Sequence, residues 1–176
     1  MSKVIFLTGL PRIGKSTVLM KIIELLKQKG IKVGGIITPE KRERGKRIGF
    51  IVKDIISGEE GVLARICTSI SDKPKFGKYI IDIDDFEKVA LKALDFSLKN
   101  CDVIAMDEIG RMEFFSLKFK EKIYEILNSN KIIIAVLHRD FINQFKKYGE
   151  IIEVNLENRN KLPEEIFKKI LELRNN

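Results

Sequence analysis

Apolar positions along the chain alternate between short continuous runs and helical stripes. Val4, Ile5, Phe6 and Leu7 lie in a stretch from about Lys3 to Thr8 that reads as a buried strand. From Ser16 to Lys29 the period changes: Val18, Leu19, Ile22, Ile23, Leu25 and Leu26 share one helical face, and Gly30 supplies the stop. A second apolar run, Ile31 to Thr38, is separated by the charged segment Pro39 to Arg47 from Ile48 to Ile56, again extended in character. Ser57 to Gly61 then turns the chain into Val62 to Cys67, so an antiparallel excursion is predicted here. Phe76 to Ile83 predicts a further strand, and Asp84 is the expected N-cap of a helix reaching about Asn100.

The second half predicts a strand from Asp102 to Met106, a helix from about Ser116 to Asn128 and a strand from Lys131 to Leu137. A short helix near Asp140 to Lys147, a strand near Glu150 to Asn155 and a final helix from Pro163 complete it. Strands alternating with helices imply the α/β class: a doubly wound, mostly parallel sheet carrying the antiparallel excursion, with ligands at the carboxyl ends of its strands. No repeat, low-complexity tract or linker divides the chain, and its 176 residues suit one domain over 1–176.

The loop between the first strand and helix carries the chemistry. Gly9-Leu10-Pro11-Arg12-Ile13-Gly14-Lys15-Ser16 fits G-x-x-x-x-G-K-[ST], and Thr17 follows it into the helix. A nucleotide's phosphates need many donors close together. Glycines let the backbone curl with its N–H groups inward, and the following helix directs its positive end at the anion. Lys15 is expected to reach the β- and γ-phosphates, and the Ser16 hydroxyl to ligate Mg²⁺.

Val103-Ile104-Ala105-Met106-Asp107-Glu108 is the expected second half of the site, an apolar strand delivering a carboxylate. Asp107 is assigned to the Mg²⁺ shell opposite Ser16. Glu108 is assigned to orient or deprotonate a water attacking the γ-phosphate, which favours hydrolysis over transfer. The guanine-selecting pattern N-K-x-D is missing, since Asn130-Lys131-Ile132-Ile133 and Asn160-Lys161-Leu162-Pro163 both lack its Asp. Broad acceptance of bases follows.

These motifs, in order along nearly the whole chain, resemble the THEP1 family of nucleoside-triphosphatases. The resemblance rests on the phosphate loop and on Asp107-Glu108-Ile109-Gly110-Arg111-Met112-Glu113-Phe114-Phe115-Ser116. It extends to Gly45-Lys46-Arg47-Ile48-Gly49-Phe50, Gly77-Lys78-Tyr79 and Asn158-Arg159-Asn160-Lys161-Leu162-Pro163. It implies a RecA-like P-loop domain and slow Mg²⁺-dependent hydrolysis of ATP, GTP, CTP and UTP to the diphosphate and phosphate. Arg12 departs from the family, in which glycine commonly follows the proline.

Other polar residues carry two readings each. His138 and Arg139, at the carboxyl end of a predicted strand, serve either as γ-phosphate sensor and charge stabiliser or in loop packing. Lys41, Arg42, Arg44, Lys46 and Arg47 form either a solvated hairpin or a basic flap supplying an arginine-finger contact. Arg111 and Glu113 close an ion pair beside the site or cap the following helix. Asn158 and Arg159 are candidates to pack on the base, where stacking by arginine tolerates any base.

A formal charge of +8 admits a nucleic-acid partner, yet a protein binding polyphosphates gains from the same potential. No RRM, KH or zinc signature supports nucleic acid. Cys67 and Cys101 form no C-x-x-C pair and read as small apolar residues in a reducing compartment. No apolar run approaches a membrane span, so a cytoplasmic protein without membrane partners, and a monomer, is expected. Alongside hydrolysis stand two alternatives: a small-molecule kinase using the same loop, and a nucleotide-dependent nucleic-acid-binding switch.

Overall fold

In the computed structural model, which describes residues 2–176, one continuous sheet carries ten strands. In chain order the elements are β1 (Val4–Thr8), α1 (Lys15–Gln28), β2 (Val33–Ile37), β3 (Glu40–Glu43), β4 (Lys46–Asp54), β5 (Glu60–Ile66), β6 (Lys75–Phe76) and β7 (Tyr79–Ile81). They continue with α2 (Ile83–Asn100), β8 (Val103–Ile109), α3 (Leu117–Leu127), β9 (Ile132–Leu137), α4 (Ile142–Phe145), β10 (Glu150–Glu153) and α5 (Leu162–Asn175). The strand order is β10-β1-β9-β8-β2-β4-β5-β7-β6, with β3 on β4. From β10 to β2 the neighbours are parallel, and from β2 outward they are antiparallel.

Alternation of side chains along the parallel strands divides the core between the two faces. Ile5 and Leu7 of β1, with Val103 and Ala105 of β8, pack beneath Leu19, Ile22 and Leu26 of α1 and Ile166 and Ile170 of α5. Their neighbours Val4, Phe6, Ile104 and Met106 face Phe86 and Ala90 of α2 and Phe119 and Ile123 of α3. A parallel strand covered on both faces has no polar side, which is why β1 from Val4 to Leu7 and all of β9 are apolar. Each fully buried Leu, Ile or Phe among them contributes roughly 1.5–3 kcal/mol.

Several boundaries differ from those predicted. The charged segment after β2 is itself paired: β3 and β4 form a hairpin whose turn, Arg44-Gly45, has φ of 50° and 77°, the left-handed pair that tight hairpins favour. The apolar run 76–83 is broken at Gly77, φ 59°, into the two arms β6 and β7. Helix α2 is capped by Asp82, not Asp84: the Asp82 carboxylate accepts from Asp85 N at 3.2 Å and pairs with Lys73 Nζ at 2.7 Å. Asp84 lies inside the first turn, where its charge meets the helix dipole favourably.

Strand β8 does not end at Met106 but continues through both acidic residues to Ile109. The predicted helix 140–147 is a 3₁₀ turn over Arg139–Phe141 followed by α4, a single turn. Strand β10 stops at Glu153, because the Asn155 side chain accepts from the Glu157 and Asn158 amides and turns the chain. Helix α5 begins at Leu162, with Pro163 in its first turn, where a missing N–H costs nothing. Cys67 and Cys101 are free. Among the described residues no helix is long and apolar enough to cross a membrane.

Candidate functional site

The carboxyl ends of β1, β8, β9 and β2 open into a cleft of about 820 Å³, within the range of small-molecule sites. Pro11, Arg12, Lys15 and Ser16 form one wall, Asp107, Glu108 and Glu113 the floor, and Phe50, Leu63, Phe76 and Tyr79 the far, apolar wall.

The phosphate loop takes its shape from backbone that only particular residues tolerate. Gly9 has φ 141° and passes so close to β10 that a Cβ there would lie 2.7 Å from Val154 O; Gly14, the cap of α1, has φ 115°. Arg12 is also left-handed, φ 62°, a conformation that costs an L residue roughly 1–2 kcal/mol. The loop thus keeps, with an arginine, the backbone for which glycine is suited. Arg12 lies exposed on the rim of the cleft and makes no hydrogen bond among the described residues. Lys15 Nζ donates to Gly9 O and Leu10 O, both at 2.8 Å, closing the loop on itself. Burial lowers the Lys15 pKa, while Glu108 and Asp107 oppose that shift.

Ser16, in the first turn of α1, lines the same cleft as Asp107 and lies near enough to favour its charged carboxylate. Burial raises the Asp107 pKa against the pull of Ser16 and Lys15. Burial also raises that of Glu108, reinforced by the adjacent Asp107 charge and opposed by Lys15. The Ser16 hydroxyl and the Asp107 carboxylate, lining one cleft beside Lys15, form a hard oxygen donor set. That set fits a divalent cation completing its shell with water and phosphate oxygens.

Thr38, immediately after β2, was not singled out from the sequence, yet it is bound directly to this floor. The register Ile37↔Asp107 brings it alongside β8. Its Oγ1 donates to Asp107 O at 2.8 Å and accepts from Glu108 N at 3.1 Å, and Glu113 Oε1 lies 3.2 Å away. A polar residue at the carboxyl end of a buried parallel strand was the available signal.

The remaining candidates divide. His138 lines the cleft; its Nδ1 accepts from Asp140 N at 3.2 Å, and burial, then Arg111 and Arg139, lower its pKa. Arg139 is exposed at the start of the 3₁₀ turn, and its charge is felt at Lys15. Arg111 and Glu113 make no ion pair with each other: Arg111 binds Asp140, and Glu113, 3% exposed, turns inward to Thr38. Neither caps α3, whose cap is Ser116, accepting from Phe119 N at 3.0 Å.

Arg47 also lines the cleft but is already paired, at 2.9 Å from Glu40 Oε1, donating to Tyr79 OH at 2.8 Å and lying over the Phe50 ring. Arg42 is held by the same Glu40. Asn158 is tied into its own loop, accepting from Asn155 N and donating to Glu153 O, both at 2.8 Å. Arg159 lies against the outside of the phosphate loop, donating to Ile13 O at 3.3 Å.

A phosphate loop on β1, facing an acidic strand two positions away in a covered parallel sheet, defines a P-loop nucleoside-triphosphate-binding protein. The family model described as NTPase matches residues 4–167. Nucleoside-triphosphatase THEP1 of Methanocaldococcus jannaschii is 46% identical over 95% of this chain and 96% of its own length. The protein of that name from Thermococcus kodakarensis is 41% identical over 89% of this chain and 87% of its own. The solution structure of a human cancer-related nucleoside triphosphatase superposes with a TM-score of 0.79 at 31% identity, covering 96% of this chain and 97% of that one. The chain belongs to this NTPase family, the family of the THEP1 nucleoside-triphosphatases.

Proposed function

We propose that the chain hydrolyses ATP, GTP, CTP and UTP to the diphosphate and phosphate, by attack of water on the γ-phosphate. The observation that carries this reading is the convergence of Lys15, Ser16, Asp107 and Glu108 on one cleft, beyond the carboxyl ends of β1 and β8, two positions apart in the parallel part of the sheet. Backbone amides of residues 9–17 cradle the phosphates, and Lys15 leaves its carbonyl partners to meet the β- and γ-oxygens. Ser16 and Asp107 would hold Mg²⁺, which would neutralise charge developing on those oxygens. Glu108 orients the water and takes its proton as the oxygen–phosphorus bond forms and the bond from Pγ to the bridging oxygen breaks. A raised pKa suits this role, because a more basic carboxylate accepts a proton more readily. Base tolerance follows from the lack of a guanine motif and from the engagement of the Asn158 amide within its own loop.

A second reading, transfer to a small acceptor, has one observation in its favour. The apolar wall of Phe50, Phe76 and Tyr79 lies beyond β8, on the side of Glu108 away from β1 and the phosphate loop. A phosphate-release assay separates the readings. Hydrolysis predicts phosphate from all four ribonucleoside triphosphates, none from the diphosphates, and loss of release when Mg²⁺ is chelated. Release confined to one base, or undiminished by chelation, would overturn the stated mechanism. Diphosphate formation that requires an added hydroxyl compound would favour the kinase.

A further inference from the structure

Glu113 is a buried carboxyl for which the hydrolytic scheme provides no role. It begins the 3₁₀ turn Glu113–Phe115 and is 3% exposed. The charged groups that raise its pKa, Glu108 and Asp107 of β8, are both acidic; among the described residues no Lys, Arg or His pairs with it. It shares the space above Gly110 with the active carboxylate: a Cβ placed there would lie 2.7 Å from Glu108 Oε1 and 2.8 Å from Glu113 Oε2.

The Thr38 hydroxyl has one proton and three polar neighbours. Asp107 O, at 2.8 Å, can only accept, so the hydroxyl proton points there. The Glu108 amide, at 3.1 Å, can only donate, and occupies one lone pair. The contact with Glu113 Oε1 at 3.2 Å is then complete only if Glu113 supplies a proton to the second lone pair. An ionised Glu113 would set a lone pair against a lone pair inside a buried network, where an unsatisfied group costs most.

We propose that Glu113 is a positioning residue which, as the neutral acid, donates to Thr38 Oγ1 and so locks the peptide joining Asp107 to Glu108. Thr38 then holds both polar groups of that peptide, its carbonyl and its amide, and the two carboxylates keep their separate directions. Asp107 is aimed at Ser16 and Glu108 into the cleft. Neutrality has a second effect, since a charged Glu113 would add like charge beside Glu108. Burial and the Glu108 charge push the Glu113 pKa up to about 8, in keeping with a proton retained at neutral pH.

The inference rests on the roles proposed for Asp107 and Glu108, and its test can fail independently of them. Wild type, Glu113→Gln, Glu113→Ala and Thr38→Ser are compared for kcat, KM and the infrared C=O stretch of protonated carboxyls. Gln keeps a donor to Thr38 and cannot ionise. It should hold kcat within about threefold near pH 6, whereas Ala, which leaves the clamp open, should lose roughly 10- to 100-fold in kcat with KM little changed. Thr38→Ser should retain activity. The wild-type protein should show a buried protonated-carboxyl band near pH 6 that Gln abolishes and that fades as pH is raised through about 8.

A Gln variant as impaired as Ala, or a wild-type spectrum without that band, would overturn the clamp while leaving hydrolysis by Glu108 intact. Failure of the wild type itself to release phosphate would instead defeat the functional reading. Should Ala not fold, the comparison of wild type with Gln still decides.

Discussion

Replacing Glu108 with Gln should leave triphosphate binding within a few-fold of the parent and slow phosphate release by about 10²- to 10⁴-fold. The substitution keeps shape and hydrogen-bonding capacity but removes the only group assigned to accept the water's proton. Binding is expected to survive for an electrostatic reason. Glu108 lies against Asp107, and the two negative charges disfavour each other; neutralising one relieves that repulsion and subtracts a negative charge from a pocket that receives polyanions. Calorimetric titration with a non-hydrolysable triphosphate measures the first effect, and phosphate release the second. A variant that binds and turns over like the parent would remove Glu108 from the mechanism.

The local half of the site could be read from sequence because its determinants are local. A glycine-rich loop must sit between a buried strand and a helix, and Gly9 to Ser16 satisfy that within a few residues of Val4–Thr8. Asp107 and Glu108 were found because an apolar run ends in them. Thr38 escaped, and Glu113 was assigned the wrong partner, for the opposite reason. Each draws its meaning from a partner about seventy residues away in sequence, through the β2–β8 pairing, which no local pattern encodes.

The same cause explains the boundary errors. Asp82, Asp84 and Asp85 are equal as caps on paper. Asp82 is chosen because its N–H is drawn to Leu63 O at 2.9 Å as β7 leaves the sheet. Within the charged run 39–47, Glu40 gathers Arg42 and Arg47 and turns what reads as a solvated segment into an ordered hairpin.

Gly35→Ala is expected to have the largest effect on stability, a loss of more than about 4 kcal/mol. Gly35 is paired with Ala105 in the parallel β2–β8 ladder and has φ 115°. A Cβ there would fall 1.8 Å from Ala105 O, on main chain that cannot swing aside as a side chain would. The backbone angle is itself unfavourable for alanine. Any relief requires β2 to move away from β8, and with it Thr38 from Asp107. Thermal or denaturant unfolding measures the loss, and soluble protein of parental stability would contradict the close approach. A variant that still folds should lose kcat as well, since the peptide beneath Asp107 and Glu108 would no longer be held.

In the proposed mechanism water, directed by Glu108, attacks the γ-phosphorus. Hydrolysis in ¹⁸O-labelled water, with mass analysis of both products, tests it most directly. The predicted result is label in the released phosphate and none in the nucleoside diphosphate, for each of the four nucleotides. Label in the diphosphate would place the attack on another phosphorus. A phosphoryl group recovered on an organic acceptor, with none appearing as labelled phosphate, would contradict hydrolysis outright.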